Sequence, residues 1–90
     1  MSVKVIAELI VMPGKISFCL AVLEKVCEVV RREEGCLEYL PTVDLDDGTS
    51  DKDRHRDRIV IIEKWESLDN LAAHRESKHM FSFRKNIEAI

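Results

Sequence analysis

The sequence contains little glycine and little proline, with three and two of these residues among 90. It has no glycine-rich phosphate loop, no GxSxG motif, no HExxH motif and no CxxC pair. The sequence therefore gives no support for the functions that these motifs indicate, which are phosphate binding, serine hydrolysis, zinc proteolysis and dithiol redox chemistry. Repeats and linkers are also lacking, so we predict a single domain over residues 1–90 whose chemistry uses ordinary side chains.

Charge and hydropathy exclude two classes of partner. The net charge is −3, the basic residues form no clustered patch, and no apolar run is long enough to span a bilayer. We therefore expect neither a nucleic acid nor a membrane as partner. The first apolar residues alternate as in a strand and lack a cleavage site of small residues, so we expect no signal peptide.

The three cysteines, Cys19, Cys27 and Cys36, are odd in number and show no metal or redox spacing. Two of them lie in a run that predicts an amphipathic helix. We expect buried and reduced thiols, which favours a cytoplasmic location.

Hydrophobic periodicity predicts strands at 3–12, 36–44 and 59–66, a long helix at 15–33, a short helix at 68–75 and a further helix from 77 onward. This order is typical of an α+β fold with a ferredoxin-like split βαβ sheet whose last strand is missing. Ser67 and Ser77 are predicted to cap the two later helices, and Gly35 is predicted to stop the long one.

Three details of these elements predict their surroundings. Both faces of the first strand are apolar, which predicts a covered, central position. Pro41 predicts that the second strand is an edge strand or carries a bulge, with Leu37, Tyr39 and Val43 on the same side as the proline. The apolar face of the long helix is wide enough to need a second neighbour, either the chain's own tail or a partner.

The segment 44–58 carries charges of both signs and one apolar residue, Leu45. This composition predicts a solvated hairpin loop. Its spacing does not fit a calcium-binding EF-hand loop, because Gly48 comes one position early and no glutamate closes the loop.

Glu63 and Trp65 are two residues apart in a predicted strand and therefore share a face. A carboxylate on an apolar face needs a partner, so Glu63 either meets a cation or a helix end, or it lines a pocket beside an aromatic wall. Tyr39 either presents its phenol to the same space or packs in the sheet.

His74 borders the apolar stripe of the short helix, and His79 follows it closely. The pair is open to three interpretations: two metal ligands, pocket-lining groups that move protons, or satisfied structural residues. Ser77 separates the two helices and no third ligand is evident, so we expect no metal site.

Three sequence blocks resemble the antibiotic biosynthesis monooxygenase family, in particular its small quinol monooxygenases: VIAELIVMPGK at 5–15, EEGCLEYLPTVD at 33–44 and IVIIEKWESLDNLAAHRESKHM at 59–80. The resemblance implies a homodimeric α+β barrel in which two sheets face each other. It also implies oxidation of a quinol-like or phenolic aromatic by O2 without metal, flavin or haem. The site residues it implies are His74 and Glu63 as catalytic groups and Trp65, Tyr39, His79 and Phe81 as substrate contacts.

Two departures from the family pattern carry expectations of their own. The missing last strand would leave the first strand at an open edge, which favours pairing with another chain. The haem-degrading branch of the superfamily has an asparagine, a tryptophan and a histidine where this chain has Leu9, His74 and Arg84, so haem degradation is disfavoured.

Two alternatives to the oxygenase stay open. One is a non-catalytic dimeric module for ligand binding or regulation on the same scaffold, since fold does not fix function. The other is an isomerase or decarboxylase that uses histidine as its base. A cavity containing Trp65 and His74 would favour an enzyme, whereas solid packing there would favour the module.

Overall fold

The computed structural model describes residues 2–44 and 57–88, with side chains up to residue 86. Within these ranges the chain forms β1 (Val3–Ile10), α1 (Ile16–Val30), β2 (Cys36–Val43), β3 (Arg58–Trp65), α2 (Leu68–Arg75) and α3 (Lys78–Glu88). Most of the predicted loop at 44–58 lies outside the described residues. None of the described helices combines the length and the hydropathy needed to cross a bilayer.

The three described strands form one antiparallel sheet in the order β1-β3-β2. β1 and β2 are joined through α1 and run parallel on either side of β3, which is the split βαβ arrangement of a ferredoxin-like α+β fold. The predicted fold class is therefore confirmed. The central position expected for β1 is wrong, because β3 takes the centre and β1 lies at an edge of the described sheet. β2 is the other edge strand, as its proline predicts.

One face of the sheet packs against the helices and forms the core. The predicted alternation along β3 and the predicted apolar stripe along α1 are both confirmed, since their members meet here. The core side chains are Cys19, Leu23, Cys27, Val30, Tyr39, Ile59, Ile61, Trp65, Leu71, Met80 and Phe83.

The opposite face of the sheet carries an apolar row that is open to solvent, with the charged pair Lys4 and Lys64 on one side of it and Glu8 on the other. Ile6, Ile62 and Leu40 are paired in register and form one row across the three strands. Ile6 is 69% exposed and Leu40 is 46% exposed. The described part of the chain therefore does not supply the cover that the sequence predicts for both faces of β1.

A register shift between Cys36 and Glu38 interrupts the alternation of β2. Cys36 pairs with Trp65 and Tyr39 pairs with Glu63, so both lie on the helix side. The extra residue at the bulge leaves Leu37 half exposed. The prediction that Leu37 shares the face of Tyr39 is wrong for this reason.

α1 ends at Val30, three residues before the predicted end. The N–H groups of Arg32 and Glu33 donate to carbonyls three residues back, at Val29 and Val30, so the chain tightens and leaves the helix. Gly35, with φ of +80°, then completes the turn. The turn carries Glu33 away from the helix surface and towards α2.

The two later helices begin where their serine caps predict. Ser67 accepts a hydrogen bond from the N–H of Asn70. The Ser77 hydroxyl donates to the carbonyl of His74 at 2.7 Å and accepts from the N–H of Met80 at 3.4 Å, so one residue ends α2 and begins α3. α3 then contacts α1, so the chain's own tail supplies a second neighbour for that helix.

Two glycines provide a matched test of the turn after α1. Gly14 and Gly35 both have φ of +80°, but a Cβ on Gly35 would overlap the Asn70 side chain, whereas nothing lies within 4 Å of a Cβ on Gly14. We expect Gly14→Ala to lower the free energy of unfolding by about 1 kcal/mol, the cost of a left-handed alanine. Gly35→Ala should lower it by about 2–4 kcal/mol, because the overlap adds to that cost. Denaturant titration measures both, and equal losses would contradict the close approach of the turn to α2.

Candidate active site

β3 brings an acid and an indole to the buried face of the sheet. Glu63 and Trp65 both point towards the helices, and the Trp65 side chain is completely excluded from solvent. The indole Nε1–H donates to Glu63 Oε1 at 3.0 Å. A buried carboxylate needs hydrogen-bond donors, and here the neighbouring indole provides one.

His74 extends from α2 onto this pair and is itself buried. Its ring centroid lies 4.5 Å from that of Trp65 and 5.6 Å from that of Tyr39, the latter contact being edge-to-face. His74 Nε2 lies 3.8 Å from Glu63 Oε1, just beyond hydrogen-bond distance. One ring nitrogen of His74 therefore faces the acid and the aromatic wall.

The other ring nitrogen of His74 meets Glu33, which comes from the turn after α1. Glu33 Oε2 lies 2.6 Å from His74 Nδ1 and 3.1 Å from His79 Nε2. A carboxylate can only accept, so His74 Nδ1 donates its N–H to Glu33, and His79 Nε2 lies within ion-pair distance of the same oxygen. The hydroxyl of Ser77, 3.2 Å from His79 Nε2, gives its own proton to a carbonyl and therefore also accepts from His79.

This arrangement sets the tautomer of a neutral His74. The proton is held on Nδ1 by Glu33, and the lone pair is left on Nε2, facing Glu63. A carboxylate that orients an imidazole in this way prepares the opposite nitrogen as a base and stabilises the imidazolium that forms. The cluster can therefore accept a proton from a group placed beside Trp65 and Tyr39.

The structure brings five of the six predicted site residues together: Tyr39, Glu63, Trp65, His74 and His79. It does not bring Phe81 to them. Phe81 is 56% exposed, and the ammonium group of Lys85 lies 5.1 Å from its ring centroid. The first turn of α3 directs Phe81 outwards, so in this structure it is a surface residue.

Sequence reasoning missed Glu33, which it left among the acids at the end of the long helix. Gly35 gave no signal for this, because a glycine at this position is compatible with a helix that continues to Glu33, whereas the helix ends at Val30. A turn there can point an acid back at the core.

A cleft of about 380 Å³ opens beside the cluster at the outer edge of β2. Tyr39, Cys36 and Arg31 contribute to its lining, and the Arg31 guanidinium donates to the Tyr39 carbonyl at 3.0 and 3.2 Å. Trp65, in contrast, is enclosed, with the His74 ring against it. On that side of the indole the structure shows packed side chains.

Burial governs the electrostatics of the neutral groups around the cluster. Burial raises the pKa of the Tyr39 phenol, and the nearby negative charges of Glu63 and Glu33 raise it further. Burial likewise raises the pKa of the three thiols. At neutral pH the phenol is therefore a hydrogen-bond donor, and the cysteines are poor nucleophiles.

Fold and site together define a ferredoxin-like α+β domain with a buried acid–imidazole–indole cluster. The family model described as antibiotic biosynthesis monooxygenase matches residues 2–86. The chain belongs to this family, as the sequence blocks indicate.

Relatives of known sequence and structure agree with this assignment. The chain is 39% identical over 87 residues to the Escherichia coli (strain K12) protein named "Probable quinol monooxygenase YgiN", which covers 93% of this chain and 83% of that protein. It superposes on Rv0793 from Mycobacterium tuberculosis with a TM-score of 0.79 and 26% identity, over 100% of this chain and 83% of the other. It superposes on a crystal structure described as an antibiotic biosynthesis monooxygenase with a TM-score of 0.78 and 28% identity, over 99% of this chain and 84% of the other.

The buried phenol provides a test of the cluster's interior, since Tyr39 is the chain's single tyrosine. Its pKa is raised above the ordinary 10.0. We expect no phenolate absorbance from the folded protein at a pH of about 11, where a free phenol is largely ionised. The unfolded chain ionises first, so Tyr39 contributes stability fully below about pH 10 and progressively less above it.

Near-ultraviolet titration with circular dichroism as a check on folding measures both effects. In Tyr39→Phe this part of the alkaline loss of stability should disappear. A phenolate signal with a midpoint near 10 in a still-folded protein would contradict the buried position of the ring.

Proposed function

We propose that this chain is a cofactor-independent monooxygenase that oxidises a quinol-like or phenolic aromatic with O2. The observation that carries the proposal is the setting of His74, with Nδ1 bonded to Glu33 and Nε2 facing Glu63 beside an indole. Family membership and the name of the Escherichia coli relative support the substrate class.

In the proposed mechanism the aromatic substrate binds near Tyr39 and Trp65, entering from the side where the β2 cleft opens. Because the His74 ring lies against the indole, binding includes a local displacement of side chains at this contact. His74 Nε2 then accepts a proton from a substrate hydroxyl, and Glu33 stabilises the resulting imidazolium. Glu63, held by the indole N–H, is the second acid–base group.

Deprotonation matters because a phenolate gives up an electron to O2 far more readily than a phenol does. The overall reaction balances without another reductant, since one quinol and one O2 give one hydroxyquinone and one water. The quinol loses four electrons and O2 gains four. One oxygen atom forms the new carbon–oxygen bond, and the other leaves as water with two protons from the substrate.

Oxygen uptake with a simple quinol and EDTA-treated protein tests the proposal. We expect one O2 consumed per quinol and no effect of added catalase, because monooxygenation forms no hydrogen peroxide. Uncatalysed oxidation to a quinone does form peroxide, and catalase then returns half of the oxygen. Uptake that catalase halves, or that the protein does not accelerate, would contradict the proposal.

Variants of the imidazole and its acid test their separate roles. His74→Gln removes the base and should lower kcat by about 10²-fold or more, the usual contribution of a general base. Glu33 is a positioning residue, so Glu33→Gln should lower kcat by about tenfold or more while KM stays within twofold.

Glu34→Gln is the matched control, because Glu34 is the neighbouring acid and is exposed. It should leave kcat unchanged. Equal rates in the wild type and in His74→Gln would remove His74 from the mechanism, and equal effects of the two glutamine variants would remove the specific role of Glu33.

We also propose that the chain forms a homodimer through the outer face of its sheet. The row of Ile6, Ile62 and Leu40 is apolar, and Ile10, which follows Ile6 and Glu8 on the same face of β1, is exposed as well. A row of large exposed apolar side chains, bordered by charged residues, is typical of an interaction surface. A two-fold axis allows one such patch to be its own complement, which agrees with the facing sheets that the family resemblance implies.

Charge introduced into this row should separate the protomers. We expect Ile6→Lys to shift the protein from dimer to monomer in sedimentation or light-scattering measurements, since each protomer would bury an unpaired ammonium group in the interface. Phe18→Lys is the control, because Phe18 is 59% exposed on α1, away from the sheet's outer face. A monomeric wild type, or a dimer that survives Ile6→Lys but not Phe18→Lys, would contradict the sheet interface.

A cytoplasmic location fits the same proposal. All three cysteines are free, and Cys19 and Cys27 are buried within one helix. Free thiols persist most readily in a reducing compartment.

One observation favours a second candidate, a non-catalytic ligand-binding or regulatory module. Trp65 is fully enclosed, and the His74 ring occupies the space where a guest would stack. The oxygen-uptake assay separates the two candidates, because a module binds an aromatic ligand without turnover.

A further inference from the structure

We propose that Glu33, His74 and His79 bind one divalent transition-metal cation per chain. Each offers one ligand atom, and the three atoms lie within 4.8 Å of one another. The set consists of two imidazole nitrogens and one carboxylate oxygen. Zinc and non-haem iron use this ligand combination in protein sites that keep further positions open.

The distances fit such a site with only small side-chain movements. Glu33 Oε2 is 2.6 Å from His74 Nδ1 and 3.1 Å from His79 Nε2. Zinc bonds of about 2.0–2.2 Å at tetrahedral angles place neighbouring ligand atoms about 3.3–3.6 Å apart. The Glu33 oxygen must therefore move slightly away from both nitrogens to admit a cation, and Glu33 and His79 lie in partly exposed positions where side chains can adjust.

A second feature supports ligation by His74 through Nδ1. Metal-binding histidines usually donate their other N–H to a carboxylate, which fixes the ring orientation. The other nitrogen of His74, Nε2, lies 3.8 Å from Glu63 Oε1. With the cation on Nδ1, the ring proton resides on Nε2, where it can form a hydrogen bond to the carboxylate of Glu63. The carboxylate partner that such histidines usually have is therefore already close.

The site is closed on one side and open on the other. His74 lies on the enclosed Trp65 side, whereas the side chains of Glu33 and His79 are 16% and 28% exposed. A cation can enter from the surface and keep water in its remaining positions. The nitrogen-rich donor set favours Zn²⁺ or Co²⁺ over Mg²⁺, which prefers oxygen ligands and retains its water.

This inference revises the expectation of no metal site, which depended on the lack of a third ligand in the sequence. Glu33 supplies that ligand. If the proposed oxygenase function holds, the cation would inhibit it, because the metal would replace the Nδ1 proton and transfer a proton to Nε2, the proposed base.

Binding is measured first, in the absence of any quinol. Titration calorimetry of the EDTA-treated and desalted protein with Zn²⁺ should give one site per chain, and Zn²⁺ should raise the Tm. Visible absorption of the Co²⁺ complex should show a low-coordinate site without thiolate ligands. We expect Mg²⁺ to produce neither effect.

Variants locate the site. Glu33→Gln and His79→Ala should each weaken Zn²⁺ binding by about 100-fold or more, since even the loss of an outer partner costs 10–100-fold. Glu34→Gln and Cys36→Ser should bind as the wild type does. Absence of saturable binding, unchanged binding in His79→Ala, or binding lost in Cys36→Ser would each overturn the proposal.

Inhibition is measured separately, as the ratio of turnover with and without Zn²⁺ within each variant. The calorimetric result decides the metal site even if no turnover is found, and turnover without metal binding leaves the oxygenase proposal intact. Turnover that Zn²⁺ accelerates would overturn the inhibitory role.

Discussion

The hydrogen bond between Glu33 and His74 is the contact on which the site depends. It joins residues 41 positions apart in sequence and connects the turn after α1 to α2, with α3 added through His79. Burial of an imidazole or of a carboxylate without a hydrogen-bond partner costs folding free energy. Here the imidazole provides the donor and the carboxylate provides the acceptor. The turn, whose left-handed glycine packs against Asn70, holds Glu33 next to His74.

β3 supplies the opposite side of the cluster by simple alternation. As the central strand it is covered by β1 and β2 at its edges and by helices on one face, so its inward side chains are all buried. An acid at Glu63 is tolerated there because Trp65, two residues on, turns its indole N–H to it. The same pairing fixes the indole ring against which His74 packs.

Most of the fold can be predicted from local patterns in the sequence. Periodicity of 2 and 3.6, the serine caps and the proline in β2 predict the element order, the buried faces and the edge position of β2. The failures come from features with no local signature. A bulge in β2 turns Leu37 outwards, and the strand that takes the centre of the sheet depends on pairing between distant segments. Glu33 belongs to the same group, since its inward position results from a turn and a partner that lies 41 residues away.

Solvent exposure of the side chains increases across the cluster, from an enclosed interior to a partly exposed rim. Trp65 is fully buried, His74 is 3% exposed, and the side chains of Glu33 and His79 are 16% and 28% exposed. A proton taken up at His74 Nε2 is matched by a proton already held at Nδ1, which Glu33 can accept and release to solvent, since its side chain is 16% exposed. In the proposed reaction, protons leave by the polar rim while the aromatic substrate and O2 occupy the apolar side. The same rim would make the proposed base accessible to a cation, so the feature that suits the proposed proton transfer would also expose the site to inhibition by metal.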